Sequence, residues 1–331
     1  MNPALSWRFP ALLNARAVAL LAAALPLLWY TGQRVEIGRM LALSGEAVLA
    51  QAGLADRSQV ADGLGSTLAE LVPIQLSSQR EVGRIEGFDP HRLPPFAHIE
   101  TAETRVSELN PETLRREEHM VRTAWLVEPF GYVFHVAAKM LETLEIALWG
   151  SVIAVLIGLP LALLGARNVT PHPALRAGSR AASGFLRAVP ELIAALFLVI
   201  AFGFGPIAGV LALGLHSAGF LGKFYADDIE DANPRPQQAL AAMGAGRLTI
   251  WGNAILPQVL PQHIACTLYT FDRNVRMGSV IGLVGAGGIG QELKGRFDLY
   301  EYGHVGTILI AIFLVILTLD FAASRARQAW R

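Results

Sequence analysis

Apolar residues along this chain gather in blocks, and a bilayer crossing needs about 20 mostly apolar residues. The first block is "ALLNARAVALLAAALPLLWYTG", residues 11–32, and the second is "LETLEIALWGSVIAVLIGLPLALLGARN". "VPELIAALFLVIAFGFG" and "PIAGVLALGLHSAGFLGKFYA" come next. Together these two are too long for one crossing, and Gly203, Gly205 and Pro206 mark a reversal between them. A fifth block runs from near Val259 towards Gly285, and a sixth covers about 304–323. Residues 33–135 break the pattern. They are rich in Glu, Asp and Arg, carry Pro90, Pro94, Pro95 and Pro111, and show helical periodicity in "GRMLALSGEAVLAQAGL". The pattern predicts an all-α integral membrane protein with about six transmembrane helices. A tail and first span (1–32) precede a polar insertion (33–135), then a core (136–331) with five spans.

Composition agrees with a membrane protein. The 331 residues are 53% hydrophobic and 16% charged, with mean hydropathy +0.42, where soluble domains carry about 25% charged residues. Net charge is zero, so nothing global points to nucleic acid. Arg8 and Arg16 beside the first block resemble a signal peptide, but the apolar run is long and lacks a clear cleavage site, so it reads as a retained span. Arginine then sets orientation. The N-terminal tail (Arg8, Arg16), the link after span two (Arg167, Arg176, Arg180, Arg187) and the C-terminal tail (Arg325, Arg327, Arg331) carry no acid. Short basic segments stay cytoplasmic, and with six spans all three fall on one side. Both termini are then cytoplasmic, and the 33–135 insertion faces outward.

Candidate chemistry is sparse. Cys266 is the single cysteine, which excludes an intrachain disulfide and a cysteine-based metal cluster. The histidines show no H-E-x-x-H spacing, and no G-x-x-x-x-G-K-[ST] phosphate loop is present. No metal or cofactor is expected in the chain. "GLVGAGGIGQELK" does contain G-x-G-x-x-G, through Gly285, Gly287 and Gly290, with Gly288 between. A dinucleotide fingerprint follows a strand, and an acid comes about 20 residues later. Here a long apolar helix precedes the glycines, another follows, and the acid is missing. The expected role is therefore structural or gating: a turn at the outer end of span five that allows close packing.

Between spans four and five, residues 230–258 contain "DANPRPQQALAAMGAGRLTIWGNAILPQVLP". Pro234 and Pro236 break the preceding helix, Gln237–Met243 favours helix, and Gly244 and Gly246 can end it. This stretch resembles the E-A-A-x-x-x-G-(x)9-I-x-L-P loop of binding-protein-dependent ABC transporter permeases, the phosphonate type in particular. Gln238, Ala239 and Leu240 stand at E-A-A, and Gly244, Leu256 and Pro257 match; Gln238 for Glu and Ala254 for Ile are departures. "LPLALLGARN", "RAVPELIAAL", "GFGPIAGVLAL" and "RNVRMGSVIGLVGAGGIG" extend the resemblance over most of residues 140–328. It implies a type I importer permease in the inner membrane, paired as a homodimer. Each loop would dock on a separate ATPase subunit that binds the ATP, and an extracytoplasmic binding protein would deliver solute. It also implies that the glycine turn lets two subunits approach near the axis.

Asp272, Arg273 and Arg276 lie near the middle of span five. Charge inside a bilayer faces a partner or a cavity. Asp272 and Arg276 are four apart and can pair, which leaves Arg273 in excess. An excess guanidinium suits a phosphorus oxyanion; the same residue could instead hold helices or subunits together. His216 reads as a hydrogen-bonded packing residue. The sequence thus predicts the transport subunit of an ATP-driven importer, not an enzyme, for phosphonate or a related oxyanion such as phosphite or phosphate. An ABC permease for an unrelated small solute, or a secondary transporter or channel without an ATPase, is the alternative.

Overall fold

The structure, a computed structural model, describes residues 15–51, 58–90, 93–109 and 116–329. Two compact units divide within the polar segment, at Glu70/Leu71. The first holds α1 (Ala15–Arg34), α2 (Ile37–Gln51) and α3 (Gln59–Glu70). The 20 residues of α1 span about 30 Å, a bilayer's hydrocarbon thickness. Residues 11–14 of the expected first span lie outside the described residues.

The second unit opens with a three-stranded antiparallel sheet: β1 (Ser78–Glu81), β2 (His98–Leu109) and β3 (Arg116–Glu128), in the order β1-β3-β2. The sheet is the addition to an otherwise helical chain that hydropathy does not disclose. Every side chain from His98 to Glu103 is exposed, so this half of β2 lacks the alternation that marks a half-buried strand. At the base of the sheet Leu126 and Val127 are buried.

Among the described residues of this unit nine α-helices follow: α4 (Gly131–Gly165), α5 (Pro173–Ala188), α6 (Glu191–Phe202), α7 (Pro206–Asp231), α8 (Pro234–Ala242), α9 (Arg247–Ile250), α10 (Leu256–Ile281), α11 (Gly288–Asp298) and α12 (Tyr302–Ala329). The central pair is α4 against α7. A Cβ built at Gly158 would sit 3.1 Å from the Leu221 Cβ and 3.3 Å from the Gly222 nitrogen, so glycine sets the approach of the two backbones. Among the described residues, α4, α7 and the Tyr302–Ala322 part of α12 are each long and apolar enough to cross a membrane. Helix α10 is long enough, at about 39 Å, but carries the three charges noted above.

The third expected span is corrected. Residues 189–205 do not form a crossing, because α6 has 12 residues and reaches only about 18 Å. The link predicted as a cytoplasmic loop is instead helix α5, which meets α6 at 85°. The corner is Val189–Pro190. Proline forces its predecessor into extended backbone, and Val189 has φ −79° and ψ 117°. The bent pair follows α7 along its whole length. Arg180 bonds Asp227 near one end, Val189 meets His216 in the middle, and Gly205 leads into α7 at the other end. A re-entrant loop would return to the end it left, so α5 and α6 read as one crossing with a corner. Arg176, Arg180 and Arg187 therefore lie on its first half rather than in a loop.

Candidate functional site

Three regions singled out in the sequence occupy three levels of the second unit. At one end, α7 stops at Asp231, and the Asn233 side chain accepts a hydrogen bond from the Arg235 nitrogen to start α8. Pro234 takes the first helical position, where its missing N–H costs nothing. After α8, Gly244 adopts φ +76°, and the Ala245 nitrogen donates back to the Leu240 carbonyl, a glycine helix stop. Gln238 and Ala239 are exposed and Leu240 is half-buried. Met243 is 73% and Leu248 88% exposed, two apolar side chains without cover at the tip of the loop. A π-helical turn, Trp251–Ile255, then feeds α10, with Leu256 and Pro257 in its first turn. A groove of about 470 Å³ runs between the 168–171 turn and α8, with Gln238 and Trp251 on its walls.

At mid-height, α10 presents its charges. Arg276 donates to Asp272 at 2.6 Å and to Asp320 of α12 at 2.6 Å. Arg273 is not in excess: it donates to Glu191 at the start of α6 at 2.9 Å and lies over the Phe220 ring. The expectation of a free guanidinium there is corrected, because the acid that satisfies it comes from another helix. The same Glu191 lies 3.6 Å from His216, whose Nδ1 meets the Val189 carbonyl at 3.0 Å, so His216 is held as a packing residue. Beside this cluster, the buried Asn274 side chain donates to Ser151 of α4 and accepts from Ser217 of α7, each at 2.9 Å.

At the far end is the glycine turn. Gly285, Gly287 and Gly288 have φ of +90°, +85° and +70°, a region that glycine enters freely. Gly290 is held by proximity, since a Cβ there would lie 2.0 Å from the Ser279 carbonyl oxygen. The turn starts α11, and the first backbone N–H groups of that helix are already taken. Gly288 donates to Glu142 and Ile289 to Thr143, both on α4. A carboxylate of the chain's own thus fills the place a bound phosphate would need. The glycines form a junction of α4, α7, α10 and α11 within one chain.

The pattern of the family described as "Binding-protein-dependent transport system inner membrane component" matches residues 154–329, over half the chain. The chain belongs to that family. As a member it is the multi-pass membrane component of an ABC importer in the inner membrane, and it works with an ATPase and a binding protein rather than acting as a catalyst itself. This decides against a transporter or channel that needs no ATPase. The permease is similar to the putative phosphite transport system permease protein HtxE of Stutzerimonas stutzeri, with 52% identity over 77% of this chain and 98% of the relative. It is also similar to the phosphite transport system permease protein PtxC of the same organism, with 42% identity over 58% of this chain and 70% of the relative. Its fold is similar to that of the inward-facing MetNI methionine ABC transporter. The TM-score is 0.53 at 22% identity, covering 60% of this chain and 97% of that chain.

Sequence reasoning passed over the permease's Glu191 and Asp320, the acids that pair Arg273 and Arg276. Both interrupt apolar runs, so the rule that flagged Asp272 would have flagged them too. Asn274, Ser151 and Ser217 gave no such signal. Neutral polar residues are ordinary in spans, and only geometry shows that these three meet.

Proposed function

We propose that this permease imports phosphite or a closely related phosphorus oxyanion, phosphonate and phosphate included. Two copies form the pathway. Both termini and the 230–258 loop face the cytoplasm, and the sheet faces outward. The single observation that carries the cargo is the 52% identity that spans nearly all of a relative named for phosphite transport. Residues 238–240, Gly244, Leu256 and Pro257 form the segment that meets the ATPase, with Met243 and Leu248 as its apolar knobs. ATP binds to that partner. Asp272, Arg273 and Arg276 hold α10 to α6 and α12 rather than touch cargo, and the glycine turn is a fixed junction about which helices can move. The test is uptake of labelled phosphite into proteoliposomes holding the permease, its ATPase and its binding protein. ATP-dependent uptake that excess phosphonate or phosphate reduces, but methionine does not, is expected. Import of an unrelated solute with no response to phosphite would overturn the reading.

A further inference from the structure

The corner at Pro190 brings Arg187 to the middle of α7. A Cβ built on Gly219 would lie 2.8 Å from the Arg187 nitrogen. Gly219 stands about 20 Å from the start of α7 and about 18 Å from its end. Arg176 and Arg180, on the same face of α5, are neutralised: Arg176 pairs with Glu230 at 3.3 Å, and Arg180 with Asp227 at 3.2 Å and Glu230 at 3.0 Å. Arg187, two turns further on, has no carboxylate within ion-pair range among the described residues. Lys223 has only Asp227, at 3.8 Å, and that acid is already shared with Arg180. Four cations therefore face two acids. α4, the third wall, contributes only Leu161 and Gly165.

Arg180, Arg187 and Lys223 line a cavity of about 190 Å³ together with Ser179 and Ser183. Ser179 is spent on the Leu161 carbonyl. Ser183 is buried, and its hydroxyl has no hydrogen bond among the described residues. A cation at mid-membrane costs several kcal/mol and persists where it faces a partner or a polar cavity. Here there is a cavity and a surplus of positive charge. That space is many times what a single water needs and leaves room for a tetrahedral oxyanion.

We propose that Arg187, Lys223 and Ser183 form an oxyanion site in the half of the membrane nearer the α8 loop. It takes a phosphorus oxyanion, either cargo leaving the pathway or the phosphate of a lipid headgroup. The planar fork of Arg187 can meet two oxygens at once, with Lys223 as a point charge beside it. Only the cargo arm rests on the proposed function.

The experiment reads protection of Lys223 from an amine-acylating reagent, by peptide mass spectrometry. It uses the permease–ATPase complex in a phosphate-free maltoside detergent. Phosphite is expected to slow acylation at least two-fold if the site serves cargo. Anionic phospholipid is expected to do so if it holds a headgroup. Arg187→Gln should abolish the protection and Arg187→Lys retain part of it. Failure of both probes to protect the wild-type complex overturns the site, whether or not the variants assemble. So does unchanged protection in an assembled Arg187→Gln complex. A complex that imports no phosphite yet shows protection keeps the site and loses the cargo assignment.

Discussion

At the scale of the residue, partners decide what each charge does. Arg273 and Glu191 are largely buried and bonded to each other. Removing one member of such a pair leaves the other stranded, at a cost of about 3–5 kcal/mol. Arg273→Gln is therefore expected to reduce assembly, seen as lost monodisperse complex in size-exclusion chromatography. The double variant Arg273→Gln, Glu191→Gln should recover most of it, an outcome that a cargo contact by Arg273 alone would not give. Gly290 is the second sharp case. Gly290→Ala forces a methyl onto the Ser279 carbonyl and should cost about 1–3 kcal/mol, read as a lower melting temperature of the solubilised complex. The charges near mid-span were legible in the sequence because they stand out against an apolar background. Their partners were not, since Glu191 is 82 residues from Arg273 and no local pattern links the two.

At the scale of the element, helix ends were readable and tertiary company was not. Asn233, the prolines and Gly244 bound α8 nearly where local chemistry puts them. Gly244→Trp should leave membrane insertion intact while the ATPase no longer copurifies, because the tip of the loop must present a bare backbone at positive φ. The corner between α5 and α6 was missed because the apolar count begins at Val189, whereas the crossing begins inside an arginine-bearing helix. The strands were missed because β2 from His98 to Glu103 is exposed on both faces and shows no alternation. Helix α11 carries a pH signature. Burial pushes the Glu292 carboxyl up, but hydrogen bonds from Arg296 and His135 outweigh it and hold the pKa below the usual carboxylate value. With the folded-state pKa below the unfolded one, this contribution is complete above about pH 4.3 and fades as pH falls through the lowered value. Glu292→Gln should therefore be less heat-stable than wild type at neutral pH, and the gap should close as the pH falls below the usual carboxylate range.

At the scale of the whole molecule, sidedness is the claim most open to measurement. In a Cys266→Ser background, a cysteine at Thr101 on β2 should label from outside intact cells. One at Thr249, beside the exposed tip of the α8–α9 loop, should label only after permeabilisation. Both positions are exposed, unlike Ser179, which is buried against α4. Labelling of Thr249 from outside would reverse the orientation. The buried Asn274 amide bears on how such a molecule can move. One group of that amide holds α4 and the other holds α7. A register shift of one helical turn moves a side chain by about 5.4 Å, enough to stretch a 2.9 Å bond past any useful length. Piston-like sliding of α10 would have to break both bonds at once, whereas tilting about the amide breaks neither. Asn274 then acts as an axle pin, a constraint that favours rocking of α10 over sliding.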